Sequence, residues 1–296
     1  MLLEEHLGRI DPDIGKIILS IAKGAVTVKG GFLRAGTSAG TQNASGETQL
    51  EMDKWADEVF FDGLKATGIV ASAASEERDE AEMLSPSGRF SVTLDPLDGS
   101  SLMGIDLTVG TIVGIYRSNT PLRPGKEMVA AAYVLYGPLT VLVYTAGAGV
   151  HEFALMDDGH FLLQNENLTI GKERIYSPGA LRKEYLPYHL RFIERLEAEG
   201  YKLRFCGSFV ADVHQILHKG GVFTYPAFQG KPQGKLRLLF EANPMGFIVR
   251  SAGGRISDGA RDILSIVPEK LHQRVPIYVG GAKEISIIEE EYRKEA

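Results

Sequence analysis

Apolar positions recur along this chain with two distinct periods, and the elements they predict fall into two groups. Ile17, Ile18, Ile21, Ala22 and Ala25 form one stripe at helical spacing and predict a helix over Ile14–Lys29. Ala35–Gly46 is polar and glycine-containing and reads as a loop. Met52, Trp55, Ala56, Val59, Phe60 and Leu64 then predict an amphipathic helix. Its remaining positions are mainly acidic (Glu47, Glu51, Asp53, Asp57, Glu58, Asp62), and most of these read as a solvated face. After the short apolar segment Gly68–Ala71 the period changes. Arg89-Phe90-Ser91-Val92-Thr93-Leu94 alternates as a strand, and strands follow over Thr108–Arg117, Val129–Tyr136, Leu139–Tyr144, Gly149–Leu155 and His160–Leu163. Gly137-Pro138 and Asp157-Asp158-Gly159 supply turn chemistry between them. An antiparallel or mixed sheet is expected.

From about Asn165 helices and strands alternate. Helices are expected at Tyr188–Glu199, Phe209–Lys219, Leu236–Ala252 and Ala282–Lys294. Strands are expected at Lys202–Cys206, Val222–Tyr225, Arg255–Ser257 and Pro276–Val279. The fold class is therefore α/β, with an α+β unit over residues 1–165 and an α/β unit over 166–296. With no repeat and no low-complexity linker, the two are expected to share an extensive interface.

Composition narrows the function by exclusion. The 296 residues are 44% apolar and 24% charged, with net charge −6, a sequence pI of about 5.7 and mean hydropathy near zero. That suits a globular protein with a sizeable core and gives no basic patch for nucleic acid or an anionic membrane. Cys206 is the one cysteine, so no intrachain disulfide can form and a reducing compartment is expected. The opening Met1-Leu2-Leu3-Glu4-Glu5-His6 carries acids where a signal peptide carries bases, and no apolar run approaches the ~20 residues that span a bilayer. A cytoplasmic location is the expectation.

Chemistry concentrates where the first strand ends. Asp95-Pro96-Leu97-Asp98-Gly99-Ser100-Ser101 sets hard oxygen ligands, suited to Mg²⁺-like cations, beside small residues whose backbone N–H groups suit a phosphate. Phosphoryl chemistry with metal ions needs several carboxylates at one point. The chain offers four groups at predicted element ends: Glu47/Asp53, Glu76-Glu77, Asp95/Asp98 and Glu241. Singly each has a plainer reading: a surface charge, a solvated acidic loop, a turn, a buried ion pair. Their coincidence is what points to a site.

Several segments carry a resemblance. The Asp95–Ser101 run resembles the signature of fructose-1,6-bisphosphatases of the lithium-sensitive, magnesium-dependent sugar and inositol phosphatase superfamily. Ser75-Glu76-Glu77, Val109–Arg117, Gly207–His214 and Gly234–Met245 are similar to further segments of that family, and the likeness runs from about residue 14 onward. It implies the layered αβαβα fold and removal of the 1-phosphate of fructose 1,6-bisphosphate, a gluconeogenic step. By position it implies Glu76, Glu77, Asp95, Asp98, Glu241 and the Leu97 carbonyl as ligands of two or three Mg²⁺ ions, or Mn²⁺. Asp53 and Glu47 would lie near the attacking water, with Asp53 or Glu77 accepting its proton. Gly99, Ser100 and Ser101 with Asp98 would hold the 1-phosphate. Tyr225, Lys235 and Arg237 would meet the sugar and its distal phosphate. Arg204 would reach a neighbouring subunit's pocket in a homotetramer. A sugar bisphosphate is the implied partner, with no nucleic acid or membrane.

The sequence also departs from the family. Leu102 stands where many members have Asn, Phe205 where a tyrosine is common, and Tyr176–Leu181 lacks the usual asparagine-containing loop. Sedoheptulose 1,7-bisphosphate, alone or beside the six-carbon substrate, is therefore the alternative. An inositol monophosphatase would not need Lys235, Arg237 or Arg204, and a non-catalytic sugar-phosphate-binding protein would not need every carboxylate. His214 and His218, four apart on a predicted helix, lack a metalloprotease glutamate or an evident third ligand, and read as structural or solvent-facing. Cys206 reads as packing rather than as a nucleophile.

Overall fold

The computed structural model describes residues 1–32, 38–42 and 48–295. The chain begins with α1 (Leu3–Leu7) and α2 (Pro12–Gly30), the second started by Pro12 and by Asp11, whose carboxylate accepts the Asp13 and Ile14 N–H groups. β1 (Ser38–Gln42) lies where only a loop was expected, and it pairs β2 (Thr48–Leu50), which leads into α3 (Glu51–Ala66). Next come β3 (Val70–Ser75), β4 (Glu82–Met83), β5 (Phe90–Asp98), β6 (Val109–Tyr116), β7 (Met128–Tyr136), β8 (Thr140–Thr145), β9 (His151–Leu155) and β10 (Phe161–Asn165). The remainder comprises β11 (Ile175–Pro178), α4 (Pro187–Ala198), β12 (Lys202–Leu203), α5 (Phe209–Lys219), β13 (Val222–Tyr225), α6 (Asn243–Ser251), β14 (Arg255–Ser257), β15 (Ile277–Gly280) and α7 (Ala282–Arg293).

β3 to β10 make one mixed sheet in the order β10-β9-β8-β7-β6-β5-β3-β4, in which only β3 and β5 run parallel. β11 to β15 make a second, in the order β12-β11-β13-β15-β14. α1, α2 and α3 pack on one face of the larger sheet, burying the stripe Ile17, Ile18, Ile21 and Ala25 against Phe90, Val92 and Leu94. α5 and α6 fill the space between the two sheets. α4 and α7 cover the far face of the smaller sheet around Phe192, Tyr278 and Ile288. The result is the expected five-layer αβαβα arrangement.

Every residue of β5 is buried. Its alternation is real, but Ser91 and Thr93, the polar positions, face the covered side: the site of a Gly114 Cβ would lie between Thr93 and Pro244 of α6. Two sheets sharing a helical layer leave no solvated face on a central strand. Asp57, expected on a solvated face, is also buried; Arg78 donates to it at 2.6 Å and lies over the Phe61 ring. The helix expected over Leu236–Ala252 begins later. Arg237 is extended and bridges Arg274, its neighbours Leu236 and Leu238 bond Val275 and Gln273, and a single π-helical turn (Leu238–Ala242) precedes α6. Among the described residues no helix is long and apolar enough to cross a membrane.

Candidate active site

The carboxylates meet because two strands end side by side and one of them bulges. β3 and β5 are parallel, and beyond Ser75 the Glu76 N–H still bonds the Leu94 carbonyl at 2.9 Å, which sets Glu76 beside Asp95. In a flat strand Asp95 and Asp98 would point to opposite faces. Against β6, however, Asp95 pairs Ile112 and Asp98 pairs Gly110, so β5 carries one extra residue at Pro96-Leu97. This bulge turns both aspartates to the same place. Thr111 holds it by donating to the Pro96 carbonyl, and the Leu97 N–H bonds Asp95 Oδ1 at 3.1 Å. The π-helical turn, wider than an α-turn, brings Glu241 from the other side, its Oε2 accepting the Arg237 N–H at 2.5 Å.

Ligand oxygens of Asp95, Asp98 and Glu241 lie within 4.8 Å of one another, and all three residues are buried. Burial, with Glu76 and Asp98 alongside, pushes Asp95 well above the usual carboxylate range. Burial and Glu76 raise Glu241 to about 8, with the Arg237 charge acting the other way. Asp98 is raised to about 7, again by burial first, despite the Val210 N–H at 2.7 Å. Such a cluster forces protons onto acids at neutral pH unless cations replace them. An all-oxygen donor set of this kind fits a hard divalent cation.

A cavity of about 440 Å³ opens over the cluster. Asp53, Glu76, Glu77, Asp95, Leu97, Asp98, Gly99, Ser100, Ser101, Tyr225, Lys235, Arg237 and Glu241 all line it, so thirteen of the expected site residues converge there. Gly99 takes φ +80, a left-handed turn that lets the Ser100–Ile105 3₁₀ segment start beside the carboxylates. Asp53, on the first turn of α3, is buried. Glu47 lies outside the described residues. Arg204 is exposed, does not line the cavity of its own chain, and donates to the Leu203 carbonyl.

Two side chains differ from expectation. Arg237 does not extend alongside Lys235 toward the distal end. It is buried, with its guanidinium 2.7 Å from Glu76 and 3.9 Å from Glu241, because the excess of buried negative charge draws in a cation. Cys206 is exposed rather than packed; partial burial of the thiol, with Asp212 and Asp98 nearby, still pushes it up to about 11, which suits no nucleophile. His214 and His218 do acquire a third neighbour, Glu152 of β9, which bonds His218 at 2.6 Å.

The first turn of α5 supports the site, a contribution that sequence reading did not single out. Ser208, its N-cap, donates to Asp98 Oδ2, and the Val210 N–H bonds the same oxygen. Asp212, in the same turn, accepts from Ser177 Oγ and from the Cys206 and Gly207 N–H groups. The resemblance covers Gly207–His214, but within it only Ser208 before an apolar helix points to a role, a pattern too common to mark a support for Asp98.

An all-carboxylate cation site beside free-standing backbone turns and a lysine, in a five-layer α/β fold, is the equipment of a metal-dependent phosphatase. The comparisons make this specific. Family models described as the N-terminal and C-terminal domains of fructose-1-6-bisphosphatase match residues 10–166 and 170–293. The "Fructose-1,6-bisphosphatase class 1" of Methanocorpusculum labreanum is 47% identical over 289 residues, covering 97% of this chain and 90% of that protein. Its namesake from Methanospirillum hungatei is 46% identical over 285 residues, covering 96% and 92%. A crystal structure of Leishmania major fructose-1,6-bisphosphatase in holo form superposes with a TM-score of 0.93 at 30% identity, covering 99% of both chains. The chain belongs to the fructose-1,6-bisphosphatase family.

Proposed function

We propose that this protein hydrolyses the 1-phosphate of fructose 1,6-bisphosphate, giving fructose 6-phosphate and inorganic phosphate, with Mg²⁺ at the carboxylate cluster. The observation that carries this reading is the meeting of Asp95, Asp98 and Glu241 within 4.8 Å at one side of a cavity that also presents Lys235 and Tyr225. Glu76, Glu77, Asp95, Asp98, Glu241 and the Leu97 carbonyl would hold two or three ions. Bound there, the ions supply Lewis acidity that acidifies a water and screens the phosphate dianion. Asp53 or Glu77 accepts the water's proton. The N–H groups of Gly99 and Ser100, with Ser101, orient the 1-phosphate, and Lys235 and Tyr225 hold the distal end. Arg237 keeps Glu76 and Glu241 in place instead of meeting that end.

In the same reading the chain is cytoplasmic, divides near residue 165 into a metal-binding and a sugar-binding unit, and assembles as a homotetramer in which exposed Arg204 reaches a neighbour's cavity. Mg²⁺-dependent phosphate release tests it, comparing kcat/KM for fructose 1,6-bisphosphate, sedoheptulose 1,7-bisphosphate and inositol 1-phosphate. Preference for the first is expected. Preference for the second would keep the chemistry and trace the change to the Phe205 end of the cavity. Asp98→Asn is expected to lose turnover with its fold intact; a variant that kept near-normal turnover would remove Asp98 from the metal site.

A further inference from the structure

Beyond the carboxylate cluster, a second group of metal-ligating side chains lies between the larger sheet and α5. Glu152, His214 and His218 each offer a ligand atom, and the three atoms lie within 4.8 Å of one another. The fold itself brings them together. Tyr133, Val143, Glu152 and Asn165 are successive cross-strand partners on β7, β8, β9 and β10. α5 crosses above this row with His214 and His218 one turn apart on its lower face, their rings 4.5 Å from each other. His214 therefore sits over Tyr133, and His218 over Glu152.

We propose that Glu152, His214 and His218 form a second metal site, for a zinc-like ion, with water completing the coordination. Two imidazoles and one carboxylate are a donor set preferred by Zn²⁺, Co²⁺ or Ni²⁺, unlike the all-oxygen cluster under the substrate cavity. Supporting contacts that orient metal ligands are already present. Tyr133 Oη lies 2.8 Å from His214 Nδ1, so a proton on Nδ1 donated to the tyrosine leaves the Nε2 lone pair for the ion. Asn165 Nδ2 donates to Glu152 Oε1 at 2.9 Å, leaving Oε2 for coordination. Oε2 now bonds His218 Nε2, and ligation there requires the shared proton to leave, to Nδ1 or to solvent. His218 is partly exposed and gives the ion a route in. A simple His218–Glu152 ion pair would account for one of these contacts but not for the presence of His214 beside it, bonded to Tyr133. The ion would clip α5 to β9, and α5 is the helix whose first turn holds Asp98.

The test uses the full chain with Mg²⁺ in large excess, so that the carboxylate cluster is occupied. Zn²⁺ is titrated against a chromophoric chelator, and Co²⁺ binding is followed by its visible spectrum. One Zn²⁺ per chain is expected, together with the intense visible bands of a four-coordinate, imidazole-ligated Co²⁺. His218→Asn and Glu152→Gln should each weaken Zn²⁺ binding more than 10-fold. Tyr133→Phe, which removes only the hydroxyl bonded to His214 Nδ1, should weaken it by about 10- to 100-fold. Zn²⁺ binding abolished by Mg²⁺, weak six-coordinate Co²⁺ bands, or equal affinity in wild type and His218→Asn would each overturn the proposal.

Discussion

Replacing Glu241 by Gln should make the metal-free protein more stable while abolishing its response to Mg²⁺. Glu241 is buried among like charges, and its carboxyl is raised from the ordinary glutamate value of 4.5 to about 8. The folded state thus holds this proton more tightly than the unfolded chain does. Below about pH 4.5 both states are protonated and the substitution changes nothing through this route; the penalty on the wild type grows as pH rises and levels off above about 8. At about 1.4 kcal/mol per pH unit, the wild type has lost about 3 kcal/mol by neutral pH. The amide cannot ionise and escapes this loss, while its oxygen can still accept the Arg237 N–H. For a chain of this size the gain corresponds to a rise in Tm on the order of 5 °C. With Mg²⁺ at a thousandfold excess over Kd the order reverses, because the wild type then gains about 4.1 kcal/mol. Thermal unfolding across pH, with chelator and with Mg²⁺, reads both effects. A variant less stable than wild type in chelator at neutral pH, or one that gains equally from Mg²⁺, would refute the repulsive cluster.

Three further outcomes are expected. Lys235→Ala removes an exposed cation that lines the cavity and should raise KM for bisphosphates about 10- to 100-fold with little change in kcat, from the 1.5–3 kcal/mol typical of a charged hydrogen bond; unchanged steady-state KM would place it outside the substrate site. Arg78→Ala leaves buried Asp57 without its 2.6 Å partner and should cost about 3 kcal/mol in denaturant unfolding at neutral pH, less in acid where Asp57 takes up a proton. Gly99→Ala forces a side chain into a left-handed conformation, at roughly 1–2 kcal/mol, and sets its Cβ 3.2 Å from Ser208. Phosphate release should fall while circular dichroism is unchanged; normal turnover would show that this turn tolerates displacement.

What the chain displays in sequence follows from which constraints are local. The Met52-to-Leu64 spacing marks α3 because one apolar face meets one sheet. α5 and β13 begin and end where expected, since Ser208 caps the first and Gly220-Gly221 separates them. Leu236-Arg237 reads as helix because the flanking leucines suit either period, and pairing with Gln273 and Val275 holds Arg237 extended instead. β11 was hidden by its Pro178-Gly179 end; it is a short strand held from both sides by β12 and β13. In the site, the residue types were legible from motif and resemblance. The bulge that turns Asp95 and Asp98 together was signalled by Pro96, which cannot serve an unbroken central strand. The inward turn of Arg237 was not, because only the assembled excess of charge produces it. Glu152 reaches His218 from 66 residues away, through a sheet register that no local pattern records.

The first turn of α5 binds Asp98 through Ser208 and Val210, and through Asp212 it binds the backbone at Cys206 and Gly207, next to Arg204 and Phe205. One turn is therefore common to the carboxylate cluster and to the Phe205–Gly207 segment that lines the same cavity. Whatever orders that turn from one side lowers the entropic cost of ordering it from the other, and by thermodynamic reciprocity the favour is returned in equal measure. Were a cation and a sugar to fill the two ends as proposed, their binding would be coupled through this turn, with no movement of either sheet.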